Sequence, residues 1–404
     1  MTRALISNDR DVALRAHMAG LYNQPVVVDN GQLGLRAGIA GGDVPTAYGP
    51  LMVGRPKYAK IMVGADDGAA GDGVYVGAQA RRQRGLLRLL VPIDHGEIRN
   101  WGDMARVWHQ CFSQQLKLAL ISDHPVLITE SPQNPRRNRE LIAEELFERF
   151  GAPGVYVLTP APLALYALGR TTGVVVDVGE GQLSVVSVYD GFALPNLTKR
   201  MDVAGAAVTN QLALLLHLAL GVRLLLLAEM DVVREIKESV ALVAPAAGAP
   251  ELKQRTTASA NEDTLVYTLP DGHKLRVGSE RFQALEIIFR PDLVGDELPG
   301  LAAMVDNAIA KCDLDLRATL WQSIHLLGGS TLTSGFGDRL LSELHHYQAE
   351  TGTQTKIKLM APPERLYSVW IGGLILANLL SFRKMYVTKE EFRESPHLIH
   401  TRCA

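Results

Sequence analysis

The sequence VVVDNG at residues 26–31 decides the fold, because nearly the same sequence, VVVDVG, returns at residues 174–179. In each copy three β-branched residues favour a buried strand, and the Asp-x-Gly that follows favours a tight turn able to approach a phosphate. A third apolar segment, residues 324–327, leads into a Gly-Gly-Ser-Thr turn at 328–331. The repeat predicts two related halves, each offering one loop and one carboxylate to a ligand held between them.

The composition is typical of a chain that is folded throughout and divided into lobes. The 404 residues exceed one ordinary core, and 47% of them are hydrophobic while 21% are charged. A net charge of −2 disfavours a nucleic-acid binder, whose affinity depends on clustered Lys and Arg. Three widely spaced cysteines without a Cys-x-x-Cys pair favour neither a disulfide framework nor a zinc site, and they fit a reducing cytoplasm.

Residues 211–230 are rich in Leu over about the length of a membrane span. His217, Gly221 and Arg223 interrupt the segment, and Arg and Gly are costly within lipid but suit the end of a helix. We therefore predict a buried helix, a turn and a second helix, with no membrane insertion. Residues 1–20 carry charges without an apolar secretory core, so we expect an N-terminal extension, with a short amphipathic helix from Asp11 as an option, and no signal peptide.

Strand and turn signals set the order of elements in both halves. Asn30-Gly31 is a strong hairpin signal within residues 21–50, and strand, turn and strand begin again at Gly173. Residues 61–80, rich in Gly and Asp, predict a flexible surface loop. The other predicted elements are a helix over 138–150, a strand over 155–158, a helix over 163–168, a loop over 245–257 and a hairpin over 267–276.

Longer motifs carry a resemblance to a known family over nearly the whole length, from about residue 23 to residue 403. One set is VGRPK (53–57), PIDHG (92–96), HPVLITE (124–130), GRTTG (169–173), LPDG (269–272) and YSVWIGG (367–373). A second set is NQPVV (23–27), FRPDLVG (289–295), GGSTL (328–332), GFGDRLLSE (335–343) and ERLYS (364–368). By the first set the chain resembles actin and the actin-related proteins, and by the second it is most similar to their centractin group, which forms the short filament of dynactin.

The resemblance implies an α/β fold of the actin-like kind, a duplicated two-lobed ATPase fold with ribonuclease-H-like halves around a nucleotide cleft. Such a cleft holds ATP or ADP with a divalent cation, Mg²⁺ or Ca²⁺. The implied division is an extension over 1–20, a first lobe over 21–167 with an inserted subdomain at about 51–91, a second lobe over 168–365 with an inserted helical subdomain at about 205–296, and a C-terminal return to the first lobe over 366–404.

Carried over by position, the resemblance places a first phosphate loop at 29–36 and a second at 177–184. Asp29 and Asp177 would hold the cation, since a hydrated magnesium ion keeps several waters and few protein ligands; turn initiation after a strand remains the simpler role for each Asp. The implied nucleotide-binding residues are Asp29, Asn30, Gly31 and Arg36 in the first loop, Asp177, Gly179, Glu180 and Gly181 in the second, and Gly205, Arg234, Lys237, Glu238, Gly328, Gly329, Ser330 and Leu332 on the adenosine side.

The first loop departs from the family pattern, which reads Asp-Asn-Gly-Ser-Gly and ends in Lys. Here Gln32 and Leu33 replace the Ser and the second Gly, and Arg36 replaces the Lys with a less compact cation. Leu33 at a position that normally uses Gly predicts strain or a re-formed hairpin, which Gly34 could absorb. In the second loop Glu180 stands where actins have Asp, which adds a methylene in a crowded site.

The residues that orient the attacking water in actins are also replaced. A Gln after the strand at 155–158 becomes Pro160, and a His at the end of the second loop becomes Ser184. Proline has no side-chain donor or acceptor, and Ser is too weakly basic to replace imidazole. We therefore expect a site that holds nucleotide with weak or absent hydrolysis, unless Thr159, Glu180 or Gln182 has taken over the lost role.

The resemblance implies a cytoplasmic, cytoskeletal subunit that associates with itself into a filament, with dynactin subunits and the dynein adaptor as partners. Other readings are a divergent actin-related protein of a chromatin or ciliary complex, a conventional actin-like filament former with ATPase activity, or a kinase on the same fold. Residues 289–297 look like the loop whose apolar tip, here Leu293 and Val294, inserts between strands of actin-like filaments, although the tip could pack on its own lobe. An insertion at about 65–73 lengthens a loop that in the family docks onto the next subunit, or is a tolerated surface insertion.

Overall fold

A computed structural model describes residues 23–57, 73–118, 120–222, 227–245, 264–269, 271–352 and 355–403. The first half contains β1 (Val26–Asn30), β2 (Gly34–Ile39), β3 (Ala47–Pro50), β4 (Val53–Pro56), β5 (Tyr75–Val76), α1 (Ala78–Arg82), β6 (Leu87–Leu90), β7 (Ile93–Asp94), β8 (Glu97–Ile98), α2 (Trp101–Gln110), β9 (Val126–Thr129), α3 (Arg136–Glu144), β10 (Gly154–Leu158) and α4 (Pro160–Ala167).

The second half begins at β11 (Gly173–Val178). It continues with β12 (Leu183–Tyr189), β13 (Phe192–Ala193), β14 (Lys199–Met201), α5 (Gly205–Leu220), α6 (Leu227–Val240), β15 (Leu265–Thr268), β16 (Lys274–Val277), α7 (Glu280–Phe289), α8 (Leu301–Ala310), α9 (Leu314–Trp321), β17 (Ile324–Leu327), α10 (Phe336–Thr351) and β18 (Leu359–Met360). The last elements are α11 (Ser368–Ala377), β19 (Val387–Thr388), α12 (Lys389–Glu394) and α13 (Leu398–Thr401).

The repeated Val triplets form the central strands of two separate sheets, as the sequence predicts. The first sheet has the order β19-β10-β9-β1-β2-β3 and the second the order β13-β12-β11-β17-β18, with β14 paired to β12. In each sheet the triplet strand pairs antiparallel with the next strand in the chain and parallel with a later one, β9 beside β1 and β17 beside β11. The predicted duplicated α/β fold of the actin-like, two-lobed kind is confirmed.

Two hydrophobic cores accompany the two sheets, but they are not fully separate. The first core is built from β1, β9, β10 and the helices around them, and the second from β11, β12 and the helices α5 to α10. Val175, Val186, Val188 and Leu327 of the second sheet nevertheless pack into the first core. Gly372 in α11 lies against the Leu163 carbonyl of α4, where any larger residue would collide with backbone, so these two helices meet at backbone contact.

The predicted helices and hairpins are found close to their expected places. The helix predicted at 138–150 is α3 with its continuation as a π-helical turn, Glu145–Arg149, and α4 begins three residues earlier than predicted because Pro160 suits the first turn of a helix. The Leu-rich segment is α5, ended by Gly221 at φ 69°, followed by α6. In the described part of the chain no helix is both long and apolar enough to cross a bilayer.

The surface loop predicted over residues 61–80 is wrong at its C-terminal end. Residues 58–72, including most of that loop and of the insertion at 65–73, lie outside the described residues. Residues 73–80 are described and do not form a loop throughout, since Tyr75 and Val76 form β5 against β4 and Ala80 is buried in the same cluster as Tyr75. Two apolar residues in a short run are enough to recruit an edge strand here. Of the loop predicted at 245–257 only Pro245 is described.

Candidate functional site

Two aspartates lie where the central strands of the two sheets end. Asp29, in β1, accepts a hydrogen bond from Thr129 Oγ1 at 3.0 Å on one oxygen and from Arg36 Nη1 at 3.0 Å on the other. Burial, together with the nearby Asp29 carboxylate, raises the pKa of Asp177 to about 6, against an opposing effect of Arg36. The two acids therefore lie close enough to repel each other, as ligands of one cation would.

Arg36 is held over this pair by two aromatic rings. Its guanidinium carbon lies 5.7 Å from the ring centre of Tyr48 and 5.9 Å from that of Tyr367. One nitrogen, Nη1, is used by Asp29, while Nε is buried and has no hydrogen-bond partner among the described residues. Arg36 Nε is thus a buried donor close to the carboxylates of Asp29 and Asp177. It is suited to an anionic group, such as a phosphate, that binds the same cation as these two carboxylates.

The first loop, which joins β1 to β2, is compact. The Asn30 amide donates to Thr129 Oγ1 at 2.9 Å and Trp108 Nε1 donates to Asn30 Oδ1 at 3.3 Å, so both neighbouring elements fix its start. A Cβ on Gly31 would come within 2.8 Å of the Gly34 carbonyl. The strain expected at Leu33 is not found, because Leu33 does not take a positive φ and its side chain points to solvent.

The second loop is tied to the elements behind it through one carbonyl. Gly179 O accepts from the Gly205 amide at 3.0 Å and from Ser330 Oγ at 3.3 Å. Gly328 has φ 84°, and a Cβ built on it would lie 2.6 Å from Asp177 Oδ1. Only glycine therefore fits both the backbone conformation and the space. These contacts bring the predicted glycines at 179, 205 and 328 together around Asp177.

Glu180 joins the second loop to α6 on the predicted adenosine side. Arg234 Nε donates to Glu180 Oε1 at 3.2 Å, and Lys237 Nζ lies 3.6 Å from Oε2. Lys237 also donates to Gly205 O and to Thr209 Oγ1, each at 2.8 Å, and burial lowers the pKa of its ammonium. The extra methylene of Glu180 is accommodated because the carboxylate reaches two cations.

The structure does not gather every predicted adenosine-side residue equally. Glu238 and Leu332 are exposed, and Glu238 acts on Lys237 only as a more distant charge. Gly329 begins the short helical turn Gly329–Leu332, directly after Gly328.

Pro160 and Ser184, the two replaced positions, lie at the start of a helix and within a strand. Pro160 is the first residue of α4 and is separated from the end of β10 by Thr159, and Ser184 is the buried register partner of Asp177 in β12. Neither carries an imidazole, carboxylate or amide. Gln182, one of the three alternatives, has a buried Oε1 without a hydrogen-bond partner in the described structure.

Sequence reasoning missed two residues between the loops, His95 and Gln32. His95 Nδ1 donates to Gly181 O at 2.9 Å, and its own carbonyl accepts from Arg200 Nη2 at 2.7 Å. It has φ 45°, an unusual backbone conformation for a residue other than glycine. Its place in the PIDHG motif was the signal available, whereas nothing in the sequence shows that Gln32 crosses to Gly181, against which its amide packs directly.

A cluster of charges joins the two halves at the outer edge of the site. Arg81 Nε lies 3.0 Å and Arg84 Nη1 2.9 Å from Asp231 Oδ2, and the second Asp231 oxygen accepts from Arg234 Nη1 at 2.7 Å. Because Arg234 also contacts Glu180, the ion pairs run without a break from the region of α1 through α6 to the second loop. We call these five residues the interlobe charge cluster.

The residues present fit a nucleotide with its cation. The unpartnered Arg36 Nε is a donor for phosphate, and the glycines leave backbone exposed where a Cβ would obstruct it. In the described residues no three His, Cys, Asp or Glu side chains form a metal cluster, so a cation here would take its protein oxygens from Asp29 and Asp177 and the rest from water and phosphate.

Comparison with known proteins agrees with this geometry. The sequence profile of the actin family, described as Actin, matches residues 20–404. An "Actin-like protein" of Neurospora crassa is 47% identical over 386 residues, which cover 95% of this chain and 98% of that protein.

Proposed function

The chain belongs to the actin family, and from that premise we propose that it is an actin-related filament subunit that holds a nucleotide as a structural element. The observation that carries the proposal is the pair of loops that bring Asp29 and Asp177 to the ends of the two central strands, combined with Pro160 and Ser184 where the family has the residues that orient water. A site of this kind retains its nucleotide, and hydrolysis of that nucleotide does not control when the subunit assembles or dissociates.

The bound group is ATP or ADP with Mg²⁺ or Ca²⁺. The cation offsets the negative charge of the phosphates when it is bound. Asp29 and Asp177 hold it from opposite sheets, and Arg36 binds a phosphate oxygen through its free Nε. The amides of the two loops contact the phosphates, and Gly205, Arg234, Lys237 and the turn at Gly328 hold the adenosine.

The side chains around the phosphates bind and orient but do not move a proton. Ser184 lies in β12 with its side chain buried beside Asp177, and Pro160 offers only ring carbons. Without a base and an orienting amide, hydrolysis loses a factor of about 10² to 10⁴. The resulting filament would not depend on phosphate release for its assembly.

The subunit is centractin-like and assembles end to end into a short filament of the dynactin type, which supports dynein transport along microtubules in the cytoplasm. Leu293 and Val294 support assembly, because 49% and 42% of their surfaces are exposed on the short helical turn Pro291–Val294, which leaves part of each apolar side chain available to a partner. The lobes of this subunit are residues 21–167 with 366–404, and 168–365.

Isolation of native complexes with an affinity-tagged chain, followed by negative-stain imaging, tests the proposal. We expect a short filament that carries dynactin subunits and the dynein adaptor. A single copy in a chromatin or ciliary complex would contradict the proposed role. Mass spectrometry of the denatured protein should release an adenine nucleotide, and its absence after preparation with magnesium and ATP would contradict the nucleotide site.

A further inference from the structure

The side chain of Gln32 lies between the two phosphate loops. Its amide packs against the Cα of Gly181, in the volume that a Cβ on that residue would fill. The Gly96 amide donates to Gln32 Oε1 at 3.3 Å, which fixes the side chain in this position. A residue of the first loop therefore closes the gap to the second loop.

This closure lies at the end of the second loop that is away from α6. Glu180 contacts Arg234 and Lys237 on the adenosine side, whereas Gly181 faces Gln32 and His95. With the adenosine placed as proposed, a phosphate chain would pass Asp29 and Asp177 before it reaches Gln32.

Two buried polar side chains lie at the same end. Gln182 Oε1 lies 2.6 Å from the position of a Cβ on Gly96, and it is buried without a hydrogen-bond partner among the described residues. Ser131, whose Oγ is likewise unpartnered, lies at the same glycine. Gln32, Gln182 and Ser131 are neutral, so these three side chains supply no positive charge to offset the negative charge of a terminal phosphate.

We propose that Gln32 makes this site selective for a nucleoside diphosphate over a triphosphate, because its amide occupies the space that a third phosphate requires. The inference rests on the proposed nucleotide site. To admit a third phosphate, Gln32 must leave Gly181 and give up the hydrogen bond that its Oε1 accepts from the Gly96 amide.

Competition against a fluorescent ADP derivative, at fixed Mg²⁺ and with the full chain, measures the affinities for ADP and for a non-hydrolysable ATP analogue. We expect the native protein to bind ADP at least about 10-fold more tightly than the analogue. Gln32→Ser should bring the two affinities to within about 2-fold by tightening the analogue alone. Gln32→Asn, which keeps a shorter amide, should lie between, and the exposed Gln283→Ser is the matched control that keeps the native ratio.

Equal affinities in the native protein would overturn the inference, as would a ratio that neither Gln32 variant changes. Near-ultraviolet circular dichroism checks that both variants fold. If they do not, the ratio of the native protein's affinities for ADP and for the ATP analogue tests the inference by itself. Failure of the native protein to bind either nucleotide would overturn the proposed function together with this inference, an outcome distinct from equal binding of both.

Discussion

Pro160 and Ser184 are the two side chains from which we predict slow hydrolysis of a bound nucleotide. Single-turnover phosphate release from the protein with bound ATP should be slower than that of an ordinary actin by a factor of about 10² to 10⁴. The double variant Pro160→Gln, Ser184→His should raise the rate by at least about 10-fold, because it supplies an amide to orient water and an imidazole to accept its proton.

The single variant Pro160→Gln is measured beside the double variant, because histidine at the buried position 184 could disturb the sheet. Pro160 is only half-buried, so its replacement should disturb the fold less. A native rate equal to that of actin would contradict the prediction. A further loss of activity in Glu180→Gln would identify Glu180 as a substitute base.

His325, in the middle of β17, makes folding sensitive to acid. Its Nε2 donates to Ser323 Oγ at 3.0 Å, Nδ1 is buried without a partner in the described structure, and burial, with the charges of Arg170 and Lys358, lowers the pKa to about 4. The unfolded chain takes up this proton near pH 6.5 and the folded chain does not. The free energy of unfolding should therefore fall as the pH falls from about 6.5 to 4, by up to about 3 kcal/mol from this group.

Urea unfolding at several pH values compares the native protein with His325→Gln. The variant lacks the ionisable group, so its free energy of unfolding should depend less steeply on pH over that interval. Exposed His273→Gln is the control, because that imidazole is solvated in both states. Identical slopes for native protein and His325→Gln would show that the imidazole is not kept neutral.

The positions of residues that belong to the repeated strand-Asp-x-Gly pattern could be predicted from the sequence. The contacts of residues that reach from one half of the chain to the other could not. Asp29 and Asp177 come from the strand-Asp-x-Gly repeat, and the structure places them as expected, with their binding role still a proposal. Gln32 and His95 act across the two halves, and no local spacing encodes that contact. Of the two outcomes expected at Leu33, strain or a re-formed hairpin, the structure shows the second, because β1 and β2 pair up to Asn30 and Leu35 without a positive φ at residues 31–34.

The short helical turn Pro291–Val294, at the end of α7, is the element that carries the proposed assembly contact. Val294→Asp should abolish pelleting or co-assembly, because a carboxylate cannot be buried between subunits without a partner. The melting temperature should change by less than about 2 °C, since an exposed substitution leaves the folded chain nearly as stable.

Val44→Asp is the matched control for the same chemical change. Val44 is 70% exposed and lies between β2 and β3, away from α7, so its substitution should leave assembly intact. A large fall in melting temperature for Val294→Asp would instead identify Val294 as a core residue. Sedimentation and thermal denaturation together distinguish the two.

The interlobe charge cluster connects the region of α1 to α6 and should slow the release of a nucleotide held behind it. Asp231 is buried and receives Arg81, Arg84 and Arg234, so removal of one arginine weakens a largely desolvated set of pairs. Arg84→Ala should speed release of fluorescent ADP by about 3- to 10-fold. Arg137→Ala, which removes exposed pairs within one helix, is the control, and equal rates for both would contradict a role for the cluster.

The secondary structure elements could be predicted where periodicity and breakers agree. The two Val-rich strands, the hairpin at Asn30-Gly31 and the break at Gly221 are of this kind. Residues 73–80 could not, because β5 consists only of Tyr75 and Val76 and exists through its pairing with β4. Edge strands of that length depend on a neighbour that local sequence does not describe.

For the molecule as a whole, a ligand shared by two halves should act as a stabiliser of both. At a nucleotide concentration of about 100 times Kd, binding adds about 2.7 kcal/mol to the free energy of unfolding, which is a rise of about 3 to 5 °C in melting temperature. Chelation of the cation with EDTA should remove most of that rise. Asp29→Asn should lose the response and exposed Asp271→Asn should keep it, whereas a response unchanged in Asp29→Asn would contradict the cation site.

The valines of the second sheet that pack into the first core affect what happens when the two halves of the chain are produced as separate fragments. A fragment ending before Gly173 would lack Val175, Val186 and Val188, so part of its interior would face water, and the complementary fragment would carry those side chains uncovered. Neither fragment is a self-sufficient folding unit, although each contains a complete copy of the repeat. Split halves would therefore aggregate when expressed alone and recover structure only when produced together.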